Sequence, residues 1–252
     1  MSEAGESGEM KGRVAFVSGA SRGIGAGLAE RFAERGLRLV LCSRSAPVLP
    51  DGDDVLARQV DVRDEAALEA LVVEAEARFG AIDLWVNNAG VLDPIDKLRD
   101  VEAEAFRHHV DVNLTGVFLG TRCYVRHLHR AARPGVLINV SSGASTSAYQ
   151  GWSVYCATKA AVDHLTRVVA LEEEAIGLRA HSVAPGVVDT GMQALIRASS
   201  EDRFPDVPRF LEMKEAEAFN SPRFVADEFL ALAFDPARRT DEVAVRLESE
   251  SG

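Results

Sequence analysis

The chain has 252 residues, 47% of them hydrophobic and 27% charged, a balance that excludes a disordered or fibrous protein. Against 28 lysines and arginines stand 39 aspartates and glutamates, and the net charge of −11 argues against nucleic acid or an anionic membrane as a partner. No apolar run reaches the roughly 20 residues that a membrane-spanning helix needs. Three cysteines, Cys42, Cys123 and Cys156, without CxxC spacing, fit a reduced cytoplasm and neither a metal site nor a disulfide framework.

Residues 1–10 are polar and acidic, without the basic start and apolar core of a secretory signal, and are expected to form a disordered tail. A single domain is expected over residues 11–252. Residues 14–17 read as a short strand closed by Ser18 and Gly19. Leu28, Ala29, Phe32 and Ala33 then recur at helical spacing until Gly36. Strands are predicted at 37–42 and 55–60, a helix at 66–79, and a fourth strand at 82–86. A long helix is predicted over about 101–130, a strand at 136–140, a helix at 153–174 and a strand at 178–183. A helix from Pro222 to about residue 234 and a strand at 243–247 complete the series. Strands alternating with helices mean βαβ units, whose right-handed crossovers give an α/β, Rossmann-type doubly wound parallel sheet of about seven strands. The irregular stretch 191–221 is long for a plain connection and is expected to be a substrate lid.

The first turn, Gly19-Ala20-Ser21-Arg22-Gly23-Ile24-Gly25, joins a strand to a helix with GxxxGxG spacing. Glycines let the backbone approach a pyrophosphate, and a helix N-terminus offers free N–H groups. The second strand ends Leu41-Cys42-Ser43-Arg44, with no carboxylate for a ribose 2′-hydroxyl. Arg44 there, with Arg22 in the turn, suits a 2′-phosphate and so predicts NADP (NADPH) over NAD. Asn87-Asn88-Ala89-Gly90 follows the fourth strand, so its polar groups are expected at the cofactor edge. Asn113 sits inside an apolar helical stretch, where asparagine is unfavourable unless it faces solvent or has work there. Ser142 follows the fifth strand, where a hydroxyl can donate to a carbonyl oxygen as charge develops. Tyr155 and Lys159, four apart, share a helix face, and an ammonium close to a phenol lowers its pKa.

Together these motifs, in this order and spacing, resemble the short-chain dehydrogenase/reductase family over about residues 12–247. The resemblance implies that Tyr155 is the general acid and that Lys159 lowers its pKa and holds the nicotinamide ribose. It implies that Ser142 polarises the carbonyl and that Asn113 supports a water linking Lys159 to solvent. It also implies cofactor contacts at Ser21, Ile24, Asp61 and Val62 beside the adenine, Asn88, Ala89 and Gly90, and Pro185, Gly186, Val188, Thr190 and Met192 around the carboxamide. No metal is implied. A narrower resemblance, through Gly151-Trp152-Ser153-Val154-Tyr155-Cys156, Leu171-Glu172-Glu173, Asp189-Thr190-Gly191-Met192-Gln193 and residues 214–221, is to the sepiapterin reductase and benzil reductase-like branch. It implies NADPH-dependent reduction of one carbonyl of a vicinal diketone. The pterin-holding aspartate of sepiapterin reductases is absent, with Val245 at that position, which leaves the diketone chemistry and weakens the pterin. Trp152, Met192 and Leu195 are candidate walls of the substrate pocket. Other ketones (3-oxoacyl, steroid or sugar) and a dinucleotide-binding regulatory protein remain alternatives. The wide apolar arcs of the 101–130 and 153–174 helices predict a homodimer, with a tetramer also open.

Overall fold

The computed structural model describes residues 10–250. The tail expected at 1–10 therefore lies outside the described residues except for Met10, which is buried in the core. Seven strands form one sheet: β1 (Val14–Ser18), β2 (Arg38–Ser43), β3 (Val55–Gln59), β4 (Leu84–Asn87), β5 (Val136–Val140), β6 (Arg179–Ala184) and β7 (Ala244–Arg246). Their order is β3-β2-β1-β4-β5-β6-β7, and every pairing is parallel. The chain moves outward from β1 in one direction and then returns to build outward from β4. This reversal leaves a crevice at the carboxyl ends of β1 and β4, where ligands of doubly wound sheets bind.

The strands read as near-continuous apolar runs because both faces are covered. Successive side chains alternate between two cores. Ala15 and Val17 of β1 face helices α1 (Gly23–Glu34) and α8 (Pro222–Phe234), whose Leu28, Phe32, Val225 and Phe229 fill one layer. Val14 and Phe16 face α2 (Glu65–Phe79) and α4 (Gly116–Ala131), where Phe16 stacks on Trp85 with centroids 3.5 Å apart. The predicted strand and helix positions agree to within a few residues.

The largest difference is in the stretch read as one helix over 101–130. It consists of a 3-10 turn (Leu98–Asp100), helix α3 (Ala103–Val110), a π-helical turn (Asp111–Thr115) and α4. Residues Val110 to Gly116 keep right-handed helical backbone angles, so the axis continues while the hydrogen-bond register widens by one residue. Asn113 is at the middle of that turn and is buried. π turns of this kind concentrate at functional sites.

Helix α5 (Ser153–Glu172) leaves the crevice and runs along the sheet. The lid expected at 191–221 contains two helices, α6 (Gly191–Arg197) and α7 (Val207–Glu215). These helices and the turn between them bring Ile196, Phe204, Val207 and Phe210 into a third apolar cluster with Trp152 and Tyr155, above the strand ends. No helix among the described residues is long and apolar enough to cross a membrane.

Candidate active site

The glycine turn follows β1 and runs into the first turn of α1. Gly19 has φ +70°, and a Cβ there would lie 2.8 Å from Ala89 Cα. A Cβ on Gly25 would lie 2.3 Å from the carbonyl oxygen of Gly19. Neither position tolerates a side chain, so these glycines close the turn on itself. Asn88 braces it: its Nδ2 donates to the carbonyls of Ser18 (2.9 Å) and Gly19 (3.4 Å). Ser18 Oγ accepts from the N–H groups of Asn88 (3.0 Å) and Ala89 (3.1 Å). The N-cap residue of α1, Arg22, makes no side-chain cap, so no side chain of its own competes for the first amides of the helix. A compact turn, a bare helix N-terminus and an exposed Arg22 fit a pyrophosphate.

Around this cradle the other expected cofactor residues divide. Ser21 and Ile24 are half-buried in the turn, and the Thr190 side chain approaches Gly23 to within 3.3 Å of a built Cβ. Arg44 is exposed just past β2, while the Ser43 hydroxyl donates to the Ser45 carbonyl at 2.7 Å. The carboxylate of Asp61 is held by Arg63, at 3.0 and 2.6 Å, and that guanidinium keeps its pKa below the usual range. An open hollow of about 590 Å³ lies beside it, lined by Asp61, Arg63, Asp64, Glu65, Asp111 and Thr115. Val62 is buried against Gly116. Gly90 faces Asn113. The Pro185 carbonyl and Gly186 are pinned by Asn220, whose Nδ2 donates to Pro185 at 2.9 Å. Val188 is buried in the core beneath them.

Asn87 is not at the cofactor edge. It lies in the sheet core, accepting from Trp85 Nε1 at 2.8 Å and donating to Asn139 Oδ1 at 2.8 Å and Thr121 Oγ1 at 3.1 Å. Strand alternation turns consecutive side chains to opposite sides, so Asn87 and Asn88 cannot share a role.

Ser142, Tyr155, Lys159 and Asn113 converge at the ends of β5 and α5. The Ser142 hydroxyl accepts from the Ala144 N–H at 3.2 Å and faces the Tyr155 phenol. Tyr155 is buried, which pushes its pKa up to about 12, and the Ser142 hydroxyl beside it pulls the other way. Lys159 Nζ donates to the Val140 carbonyl at 2.7 Å and lies 5.6 Å from the Tyr155 ring centroid. Burial drives the Lys159 ammonium down to about 8, with the Asp163 carboxylate opposing. Burial governs Tyr155, and the lysine is anchored to the sheet.

Two residues of this site carry no signal in any short motif. Asp163 is buried and accepts from Ser141 Oγ at 2.5 Å and from the Ser182 hydroxyl. His109, fully buried, joins Asn113 to the Asp93 carbonyl and lies against α5. Their only sequence mark is a charged or polar residue four positions from Lys159 or Asn113, on an otherwise apolar helix face.

The expected pocket walls also divide. Trp152 is buried among Phe204 (4.5 Å, stacked), Phe210 (5.7 Å) and Tyr149 (5.1 Å), and meets Tyr155 edge-on at 5.5 Å. Met192 packs on the same cluster. Leu195 does not: it is 47% exposed, and the next residue, Ile196, turns inward instead.

A family model for the short chain dehydrogenases matches residues 13–201. The chain belongs to this family. It is 38% identical to cis-4-hydroxycyclohexanecarboxylate dehydrogenase of Sinomonas cyclohexanicum, over 87% of this chain and 94% of that one. To the (S)-benzoin-forming benzil reductase of Bacillus subtilis it is 31% identical, over 86% and 91%. The crystal structure of the KRED1-Pglu enzyme superposes with a TM-score of 0.82 at 31% identity, covering 92% of this chain and 99% of that one. This short-chain dehydrogenase is thus an oxidoreductase of a family that works with a nicotinamide dinucleotide.

Proposed function

We propose that this short-chain dehydrogenase is a cytoplasmic, NADPH-dependent carbonyl reductase that reduces one carbonyl of an apolar 1,2-diketone to the hydroxy ketone. The observation that carries the reading is Tyr155: a phenol facing Ser142 and met edge-on by Trp152, on which Phe204 and Phe210 pack. Bound at the Gly19–Gly25 cradle, the dinucleotide supplies the hydride. Tyr155 supplies the proton. Its raised pKa keeps that proton in place near neutrality, as a donor to an alkoxide requires. Ser142 Oγ accepts from Ala144 N–H, which leaves its own proton available to a substrate oxygen. Lys159 brings a positive charge beside the phenol. The aromatic cluster suits aryl substituents, and the benzil reductase of Bacillus subtilis is a relative with that substrate in its name. Exposed Arg44 and Arg22, with no carboxylate ending β2, support NADPH.

The test is NADPH oxidation against benzil, 1-phenyl-1,2-propanedione, sepiapterin, a 3-oxoacyl thioester and a steroid ketone, with NADH in parallel. Dehydrogenation of cis-4-hydroxycyclohexanecarboxylate belongs in the same panel because of the 38% relative. Turnover of the aryl diketones with NADPH preferred supports the reading, and turnover of the cyclic hydroxy acid alone overturns the substrate. Tyr155→Phe is expected to reduce kcat at least 100-fold with NADPH binding intact. Substantial residual turnover removes Tyr155 from its role.

A further inference from the structure

His109 sits at the centre of a fully specified hydrogen-bond cluster. Its Nδ1 lies 2.7 Å from the carbonyl oxygen of Asp93, which can only accept, so Nδ1 carries the ring proton. Nε2 is then an acceptor. Asn113 Nδ2 points at it from 2.9 Å, and Thr158 Oγ1 from 3.1 Å. Thr158 already donates its hydroxyl proton to the Tyr155 carbonyl at 3.0 Å, so the Asn113 amide is the donor that Nε2 receives. The other Asn113 amide proton goes to the Val91 carbonyl at 2.8 Å, and Asn113 Oδ1 accepts from the Val91 N–H at 2.8 Å. This pairing fixes which end of the Asn113 amide is nitrogen. The imidazole also meets the Tyr155 ring edge-on at 6.0 Å.

We infer that His109 is a positioning residue of the catalytic centre, clamping Asn113 of the π turn to the loop after β4 through its neutral, Nδ1-protonated ring, whose other side packs against Tyr155 and Thr158 of α5. Three chain segments meet at this ring: the loop at Asp93 and the π turn at Asn113 through hydrogen bonds, and α5 at Thr158, between Tyr155 and Lys159, by close approach. The clamp works only while Nε2 has its lone pair. A protonated ring would present an N–H to the N–H of Asn113, and a buried donor facing a donor costs the full desolvation of both. The surroundings keep the ring neutral. Burial lowers its pKa from 6.5, and Lys159 on α5 and His108 on its own helix push the same way. The Asp93 carbonyl and carboxylate, in the loop, oppose them. Since the folded pKa is depressed, the clamp is complete above pH 6.5 and is lost as pH falls below that value through the folded pKa.

The inference rests on the reductase reading for its effect on turnover, but its geometry can be tested without it. His109→Phe keeps a ring and removes both hydrogen bonds. It is expected to lower kcat for the reduced ketone about 10- to 100-fold, with the KM for NADPH changed less than threefold. His109→Gln, which offers an acceptor oxygen to Asn113, is expected to recover most of that loss and to abolish the acid limb of kcat below pH 6.5. Wild-type kcat from His109→Phe, or an unchanged acid limb in His109→Gln, overturns the inference. Nitrogen NMR of the His109 ring in the intact chain needs no substrate. A neutral Nδ1–H tautomer persisting below pH 6.5 supports the clamp, and an Nε2–H tautomer or a ring charged above pH 6.5 overturns it. Loss of Tyr155 dependence with the NMR result intact would refute the reductase reading alone.

Discussion

Lys159 shows how single residues of this site are held at a cost to stability. Its ammonium is buried with one hydrogen bond, to Val140, and burial brings its pKa from 10.5 to about 8. At pH 7 that shift corresponds to roughly 3 kcal/mol against folding, by the equivalence of one pKa unit with 1.36 kcal/mol. The unfolded chain holds the proton up to 10.5, so the penalty is full below pH 8 and fades as pH rises from 8 to 10.5. Lys159→Met is therefore expected to abolish turnover and yet stabilise the chain at pH 7. After loss of the Val140 bond the gain is about 1–2 kcal/mol, or roughly 2–8 °C in Tm for a chain of this size. The difference from wild type should shrink toward pH 10, and calorimetry at pH 7 and 10 measures both. At the opposite edge of the crevice Arg44 sits exposed, and its charge is felt by Asp61. Arg44→Asp should raise the KM for NADPH by about tenfold or more, a change of about 1.4 kcal/mol per decade. NADH should be spared in parallel steady-state assays. An unchanged NADPH to NADH ratio would refute the reading of the β2 end.

Among elements, regular periodicity made most of the fold legible, and the exceptions are instructive. β5 at Val136–Val140 coincides with its apolar run, and α8 begins at the Pro222 that marks it, with the Ser221 side chain accepting from Phe224 N–H. The π turn at Asp111–Thr115 was not legible as such, because hydrophobic spacing reports which face is buried and not whether the register is four or five residues. The unfavourable Asn113 was the one local sign of it. Ser142, Tyr155 and Lys159 could be read because they follow strand or helix landmarks. His109 and Asp163 could not, since a polar residue on an apolar face does not say what lies across the interior. The 191–221 segment was the least legible, and Leu195 shows why: a one-residue rotation decides whether Leu195 or Ile196 turns inward. Its docking is carried in part by Arg203, which grips Asp96 with two bonds, Nε to Oδ1 at 2.9 Å and Nη2 to Oδ2 at 2.5 Å. Asp96 is tied in turn to Gly151, N–H to carbonyl, at 3.0 Å, beside Trp152. The Arg203 side chain is about half exposed, so the pair contributes at most about 1 kcal/mol to stability. Arg203→Ala should leave Tm within about 3 °C and raise the ketone KM about three- to tenfold. Faster amide exchange over residues 200–215 would locate the effect in the lid. A KM unchanged beside faster exchange would show that this anchor does not hold the substrate wall.

At the scale of the whole molecule, burial and exposure point to a second copy. The chain buries both faces of its sheet, yet Phe118 and Val168 remain 42% and 38% exposed on α4 and α5, and Leu171 is 76% exposed. Phe106 on α3 adds a further exposed ring to the same run of chain. Single exposed apolar residues are ordinary, but these lie on consecutive elements whose other faces already cover the core. The charge of −11 works against close approach of two such chains, so the contact must rest on apolar area and be strengthened by salt. The expected state is a homodimer through α4 and α5. Light scattering after size exclusion should give about twice the chain mass of 27.2 kDa. Phe118→Glu with Leu171→Glu should dissociate it, and lowering the ionic strength should weaken the dimer of the wild type. The same face backs Tyr155 and Lys159 on α5, so the dissociated variant should also lose kcat while its cofactor cradle, at the far end of β1, still binds NADPH. A 27.2 kDa species from the unaltered chain at every salt concentration would refute the dimer, and full activity from a dissociated variant would refute its coupling to α5.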